Sequence, residues 1–295
     1  MKIFDFAFQF DDVVLSIFKK LVYLSCFFYF ASHLHLIEEL YVEDALHVSV
    51  GCKNSVLSYL SCFPNKTNTI LALAAFFVLT LFNFFKDTFV SRLAFWIILM
   101  NVFSLNIYIL DGGNNLISLI SFFLIFAFSQ RELVLARKYS WIFQDVTAMS
   151  VFNIKFQIVL LYFIAGLGKA TEKIWQNGTA IYYSLANPEY SLPLVLNNLG
   201  KLPLPLLILP AYSIIIFQIF LGPLLSFKKT KKVTLAMLFL FHLFIFIVMG
   251  LGYFAIFMWV SHAIFYERNY FLKVRDVSQR KVYKLKTNFR EKEYV

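Results

Sequence analysis

LLYFIAGLGKATEKIWQNGTAIYY, residues 160–183, decides how the chain is read. It begins as an apolar helix suited to lipid and changes character at Gly166-Leu-Gly168. Lys169, Glu172 and Lys173 then stand just past the apolar run. Trp175, Tyr182 and Tyr183 follow, side chains that favour the membrane–water boundary. Helical spacing aligns Tyr162, Gly166, Lys169 and Lys173 on one stripe. Small residues beside that basic group let another helix or a ligand come close. Two readings are open. The lysine anchors a helix end, its stem snorkelling to the headgroups. Otherwise it is held partly out of water as a general base, since desolvation destabilises a charged form.

Composition sets the class. Of 295 residues 60% are hydrophobic and 15% charged, and mean hydropathy is +0.71. A soluble domain is about half apolar and about a quarter charged. The expected fold is an all-α polytopic membrane protein, a bundle of about 7–8 transmembrane helices. Long apolar runs exclude the short alternating segments of an outer-membrane barrel. The net charge of +10 is concentrated on loops and the C-terminal tail, where it fixes orientation and meets membrane lipid. It does not point to nucleic acid. Asp5, Asp11 and Asp12 precede any apolar core, so no cleavable signal peptide is expected.

Apolar spans fall at residues 21–37, 69–85, 92–110, 116–129, 151–168 and 211–227. Lys19-Lys20 precede the first and Arg92 opens the third. Residues 233–266 carry no full charge over 34 positions, too many for one span of about 20 residues. Gly250-Leu-Gly252 divides them. With the N-terminus cytoplasmic, Lys86, Arg92, Arg131, Arg137, Lys138 and the basic cluster at 228–232 all fall inside. The nine Lys/Arg from Arg268 to Lys292 join them only if residues 233–266 cross twice. The expectation is therefore eight crossings of the cytoplasmic (inner) membrane, with residues 1–266 as the bundle and 267–295 as a basic tail. Six of the seven prolines lie between Pro188 and Pro223, so that segment is no single regular helix. It is expected to be interfacial or re-entrant.

Several side chains carry candidate chemistry beside Lys169. Asp111 opens a Gly112-Gly113-Asn114-Asn115 turn. In the favoured topology it also places a carboxylate on the side of Lys169. His242, inside an apolar run, is an ordinary buried histidine or an intramembrane functional group. Cys52 and Cys62 share one loop and are a disulfide candidate. His33 and His35 point to different helix faces, and no metal site is assigned.

Tyr162-Phe163-Ile-Ala165-Gly166-Leu-Gly-Lys169, followed by Trp175-Gln-Asn-Gly178, resembles the lysine-bearing segment of the horizontally transferred transmembrane domain family. Its best-known member is the vitamin K-dependent γ-carboxylase. His242, Gly252, Phe254 and Met258 are similar to a second segment of that enzyme. The chain also resembles the family's bacterial sporulation-delaying protein B branch. The likeness lies in paired loop cysteines, Asp111-Gly-Gly113, the WxNGTAxYY stretch at 175–183 and the His242–Met258 run.

The resemblance implies that Lys169 occupies the position of a base that deprotonates reduced vitamin K; beside it, Asp111 or His242 is expected to orient or relay the proton. It implies a pocket including Tyr162, Gly166, Trp175, Asn177, Gly178 and Phe254, and a quinone or hydroquinone cofactor by analogy alone. It further implies a role in maturing a secreted antimicrobial peptide toxin, with the toxin precursor and a small companion protein as partners. About 30 basic-tail residues stand where the carboxylase has a large lumenal domain, and Asn177 stands where that enzyme has Glu, so glutamate carboxylation is not expected. A non-enzymatic chaperone or export platform, or an immunity or transport protein, are the alternatives.

Overall fold

The computed structural model describes residues 10–36, 66–105, 111–188 and 191–273. They form α1 (Asp12–Ser32), α2 (Lys66–Phe85), α3 (Phe89–Leu105), α4 (Gly112–Ile125), α5 (Gln130–Leu135) and α6 (Ser140–Thr171). Three short helices follow: α7 (Lys173–Gln176), α8 (Ala180–Ala186) and α9 (Pro193–Asn198). The bundle closes with α10 (Pro205–Leu224), α11 (Lys231–Val248) and α12 (Gly252–His262). No strand occurs among the described residues. Five stretches are long and apolar enough to span a membrane: Asp12–Ser32, Gly112–Leu135, Arg137–Thr171, Pro205–Leu224 and Lys231–Val248. Shorter apolar helices accompany them at Ile70–Phe85, Phe89–Phe103 and Gly252–Phe265. The chain is an all-α, multi-pass membrane protein, as composition requires.

Its core is aromatic and aliphatic, with Phe18, Val22, Phe76, Leu99, Ile117, Ile154, Ile158 and Phe257 fully buried. The outer surface is apolar too. Leu71, Phe85, Val90, Leu209, Phe220 and Leu240 are exposed, as hydrocarbon-facing side chains must be when lipid replaces water.

The long uncharged run is two helices. Gly250, at φ +68°, makes the break between α11 and α12, a conformation that costs glycine little. Lys231 at the start of α11 has its Nζ 3.8 Å from Glu267 Oε1 just beyond α12, so the run goes out and comes back.

The bundle end where α1 starts differs from expectation. The first helix begins at Asp12, capped by Asp11, whose carboxylate accepts from the backbone N–H of Val13 and Val14. Lys19 therefore lies within α1 and is buried. Its ammonium donates to Asp87 Oδ2 at 2.7 Å and to the Ala127 carbonyl at 2.5 Å. Arg92, only 1% exposed, donates to Asp87 and Glu132 through Nη1 at 2.8 and 3.0 Å, and to the Ile125 carbonyl through Nε at 3.2 Å. A helix can carry such charges into a bundle when each finds partners. Burial pushes the Asp87 carboxyl up, but the Lys19 ammonium and the Arg92 guanidinium outweigh it, and its pKa lies below the ordinary carboxylate value.

The Pro-rich segment is not one helix. Pro193 and Pro205 open α9 and α10 in the first turn, where a missing N–H removes no helical bond. Ile181, Leu185, Leu199, Leu207 and Ala211 make a small second core that packs α8 and its neighbours against α10. The backbone N–H of Leu192 donates to the Val248 carbonyl at the end of α11. Cys52 and Cys62 lie outside the described residues, as does most of the basic tail.

Candidate functional site: a cavity between α6, α10, α11 and α12

Two glycines set the geometry. A Cβ on Gly166 of α6 would stand 2.7 Å from the backbone nitrogen of Ile219, and one on Gly222 of α10 would stand 2.6 Å from the Val159 carbonyl oxygen. No larger residue permits so close a crossing. Gly166 thus admits a helix and does not line the cavity beside it.

That cavity has a volume of about 400 Å³, and its wall includes Tyr162, Lys169, Trp175, Gln218, His242 and Phe254. Most of the wall is apolar, supplied by residues such as Leu161, Ile245 and Met258. Lys169 sits at the end of α6 with its Nζ 5.2 Å from the Trp175 ring centroid, a cation–π distance. Behind the wall the Tyr162 hydroxyl lies 2.7 Å from His242 Nε2 and 2.9 Å from His262 Nε2, all three residues being buried. His242 Nδ1 and Gln218 Oε1 are buried with no hydrogen-bond partner among the described residues. An unpaired buried polar atom costs about 1–3 kcal/mol, so two beside one cavity favour an occupant that bonds them.

The sequence-derived candidates divide. Lys169, His242, Tyr162, Trp175 and Phe254 come together around the cavity. Asp111 does not line it. Its side chain caps α4, accepting from Asn114 N at 2.9 Å, while its neighbour Gly112 touches the cavity. Burial raises the Asp111 carboxyl pKa, and backbone hydrogen bonds from Asn114 and Gly113 only partly offset that. Asn177 ends α7, and Gly178 adopts φ +72° against Ile208; neither lines the cavity. Lys173 leaves the expected stripe, because α6 stops at Thr171 and Glu172 is extended, so Lys173 starts a new helix and is exposed.

His262 and Gln218 were not foreseen. His262 lies in the same uncharged run as His242, and the rule that marks one intramembrane histidine marks the other. Gln218 has no such pattern around it in the sequence; only the α6–α10 crossing places it. Among the described residues no group of three His, Cys, Asp or Glu could hold a metal ion.

A membrane helix bundle enclosing a mainly apolar cavity, with a lysine at its edge and a histidine in its wall, defines the class. The HTTM domain model matches residues 10–270, and the chain belongs to that family. It is also 26% identical over 211 residues to the sporulation-delaying protein SdpB of Bacillus subtilis (strain 168). That match covers 66% of this chain and 64% of the relative, so the chain spans just under two thirds of it. No solved structure matches.

Proposed function

We propose that this protein matures a secreted antimicrobial peptide toxin, receiving a membrane-associated precursor at the outer face of the cytoplasmic membrane with its own N-terminus inside. Lys169 acts as the base. It takes a proton from a group held in the cavity, while His242, anchored through Tyr162, orients that group. The observation that carries this reading is the meeting of Lys169, His242 and the unpartnered Gln218 oxygen on one largely apolar cavity. The likeness to a sporulation-delaying protein supports the biological setting. Asp111 acts at a distance, by fixing the start of α4 beside Gly112.

A quinone-like group of the kind the family resemblance implies fits this wall. Lys169, His242 and Gln218 would hold its oxygens, the apolar side chains would pack on its ring, and it would supply an acidic hydroxyl and reducing electrons. The precursor and a small companion protein complete the proposed machinery.

The test exchanges Lys169 for Ala and for Arg in producing cells, with membrane levels checked, and measures the amount and mass of active secreted peptide. Loss of active peptide in both, with a mass difference from the wild-type product, is expected. Undiminished output from both variants removes the catalytic role. An unchanged peptide mass at lower yield identifies a platform for the precursor instead.

A further inference from the structure

A second cleft, of about 270 Å³, lies at the bundle end where α1 starts and α2 finishes. Lys20, Lys86 and Arg131 line it, and none has a carboxylate partner among the described residues. The two acids in its wall are engaged elsewhere. Asp87 is held by Lys19 and Arg92, and Asp12 accepts from Gln130. Asn83 also lines the cleft and is only 3% exposed. Its Nδ2 donates to the Ser91 carbonyl at 3.2 Å, which fixes the orientation of the amide, because a carbonyl accepts only from the NH₂ side. Asn83 Oδ1 is left buried without a partner among the described residues. The same helix presents Leu81, Phe82 and Phe85 outward, the last 80% exposed, so lipid chains border the cleft.

Three cations without acid partners at a lipid-bordered helix end attract a phosphodiester. A buried acceptor among them needs a hydrogen-bond donor, which a bare phosphodiester lacks. We propose that this cleft binds one anionic phospholipid whose headgroup also bears a hydroxyl, phosphatidylglycerol being the simplest. The phosphate lies among Lys20, Lys86 and Arg131, and the headgroup hydroxyl donates to Asn83 Oδ1. The acyl chains run along the exposed face of α2.

The test places the full chain in nanodiscs of phosphatidylcholine containing a minor share of phosphatidylglycerol, phosphatidylmethanol or neither. Native mass spectrometry reads the retained lipid, and thermal unfolding reads stabilisation. Retention of one phosphatidylglycerol is expected, several-fold above phosphatidylmethanol, which has the same charge and no hydroxyl. The combined variant Lys20→Gln, Lys86→Gln, Arg131→Gln, altering exposed side chains only, is expected to weaken retention about a hundredfold, taking each basic contact at the strength usual near a membrane surface. Equal retention of the two anionic lipids, or equal retention by the variant, overturns the proposal. So does an equal rise in unfolding temperature from inorganic phosphate in phosphatidylcholine discs, which makes the cleft a soluble-anion site.

Discussion

The hydroxyl of Tyr162 and Nε2 of His242 lie 2.7 Å apart, although 80 residues separate them in the chain. The same oxygen is 2.9 Å from His262 Nε2. A phenol has one proton to donate, so it donates to one imidazole and accepts from the N–H of the other. The two rings must then carry complementary tautomers, and the Nδ1 that His242 leaves unpartnered has a fixed hydrogen-bonding sense.

Tyr162→Phe breaks this arrangement without changing the volume much. It leaves two buried imidazole nitrogens unpaired, and the expected loss is about 1–3 kcal/mol. Thermal unfolding in nanodiscs measures it, and nitrogen-15 spectra of labelled histidine follow the tautomers. In the parent, one ring is expected protonated at Nδ1 and the other at Nε2. Spectra identical in parent and variant would contradict the bridging role.

The glycines of the α6–α10 crossing give a second contrast. Gly222→Ala pushes a methyl to 2.6 Å from a backbone oxygen, so the helices must separate, at about 1–3 kcal/mol for overpacking. Gly168→Ala, two positions beyond Gly166 on α6, finds nothing within 4 Å. It should leave stability unchanged or raise it by about 0.5–1 kcal/mol through helix propensity. Unfolding temperatures of the two variants, measured side by side, check the order.

Much of the fold was legible because lipid imposes simple rules. Apolar runs of helix length located the spans, and the uncharged stretch at 233–266 divides at Gly250 as its length and central glycines required. Lys169 and His242 stood out for the same reason: charge and polarity are conspicuous in an apolar background. What stayed hidden depended on distant pairing. Lys19 and Arg92 looked like boundary markers because a lone basic residue near a span usually is one. Only folding brings Asp87 and Glu132 to them. Asp111 was open to two readings, a turn residue or a carboxylate on the side of Lys169, and only the structure shows its side chain accepting from Asn114 N. Gln218, a neutral side chain in an apolar helix, gave no sign before the crossing was known.

Arg92 is the central member of that hidden cluster, donating to Asp87 and to both carboxylate oxygens of Glu132. Arg92→Met removes it and leaves part-buried carboxylates short of donors. A loss of about 3 kcal/mol is expected, the lower end for breaking a buried pair. Arg92→Lys should recover only part of this, because a single ammonium cannot reproduce the planar fork. Unfolding by heat in nanodiscs ranks the three proteins. Equal stability of the Met variant and the parent would show that the cluster contributes nothing.

Asp87 makes the same cluster sensitive to acid. Its pKa in the folded protein is held below the ordinary value by Lys19 and Arg92, against the opposing effect of burial. A carboxyl with a depressed folded pKa binds its proton more readily when unfolded. The stability it contributes is therefore complete above the unfolded value of about 4 and drains away as pH falls through the folded pKa. Acidification from neutral to below about 4 should lower the unfolding temperature of the parent. In Asp87→Asn the stability at neutral pH should already be reduced, and the decline on acidification shallower, because one titrating group is gone. If the variant matched the parent at neutral pH and fell as steeply below it, Asp87 would not be the group that ties Lys19 of α1 to Arg92 of α3.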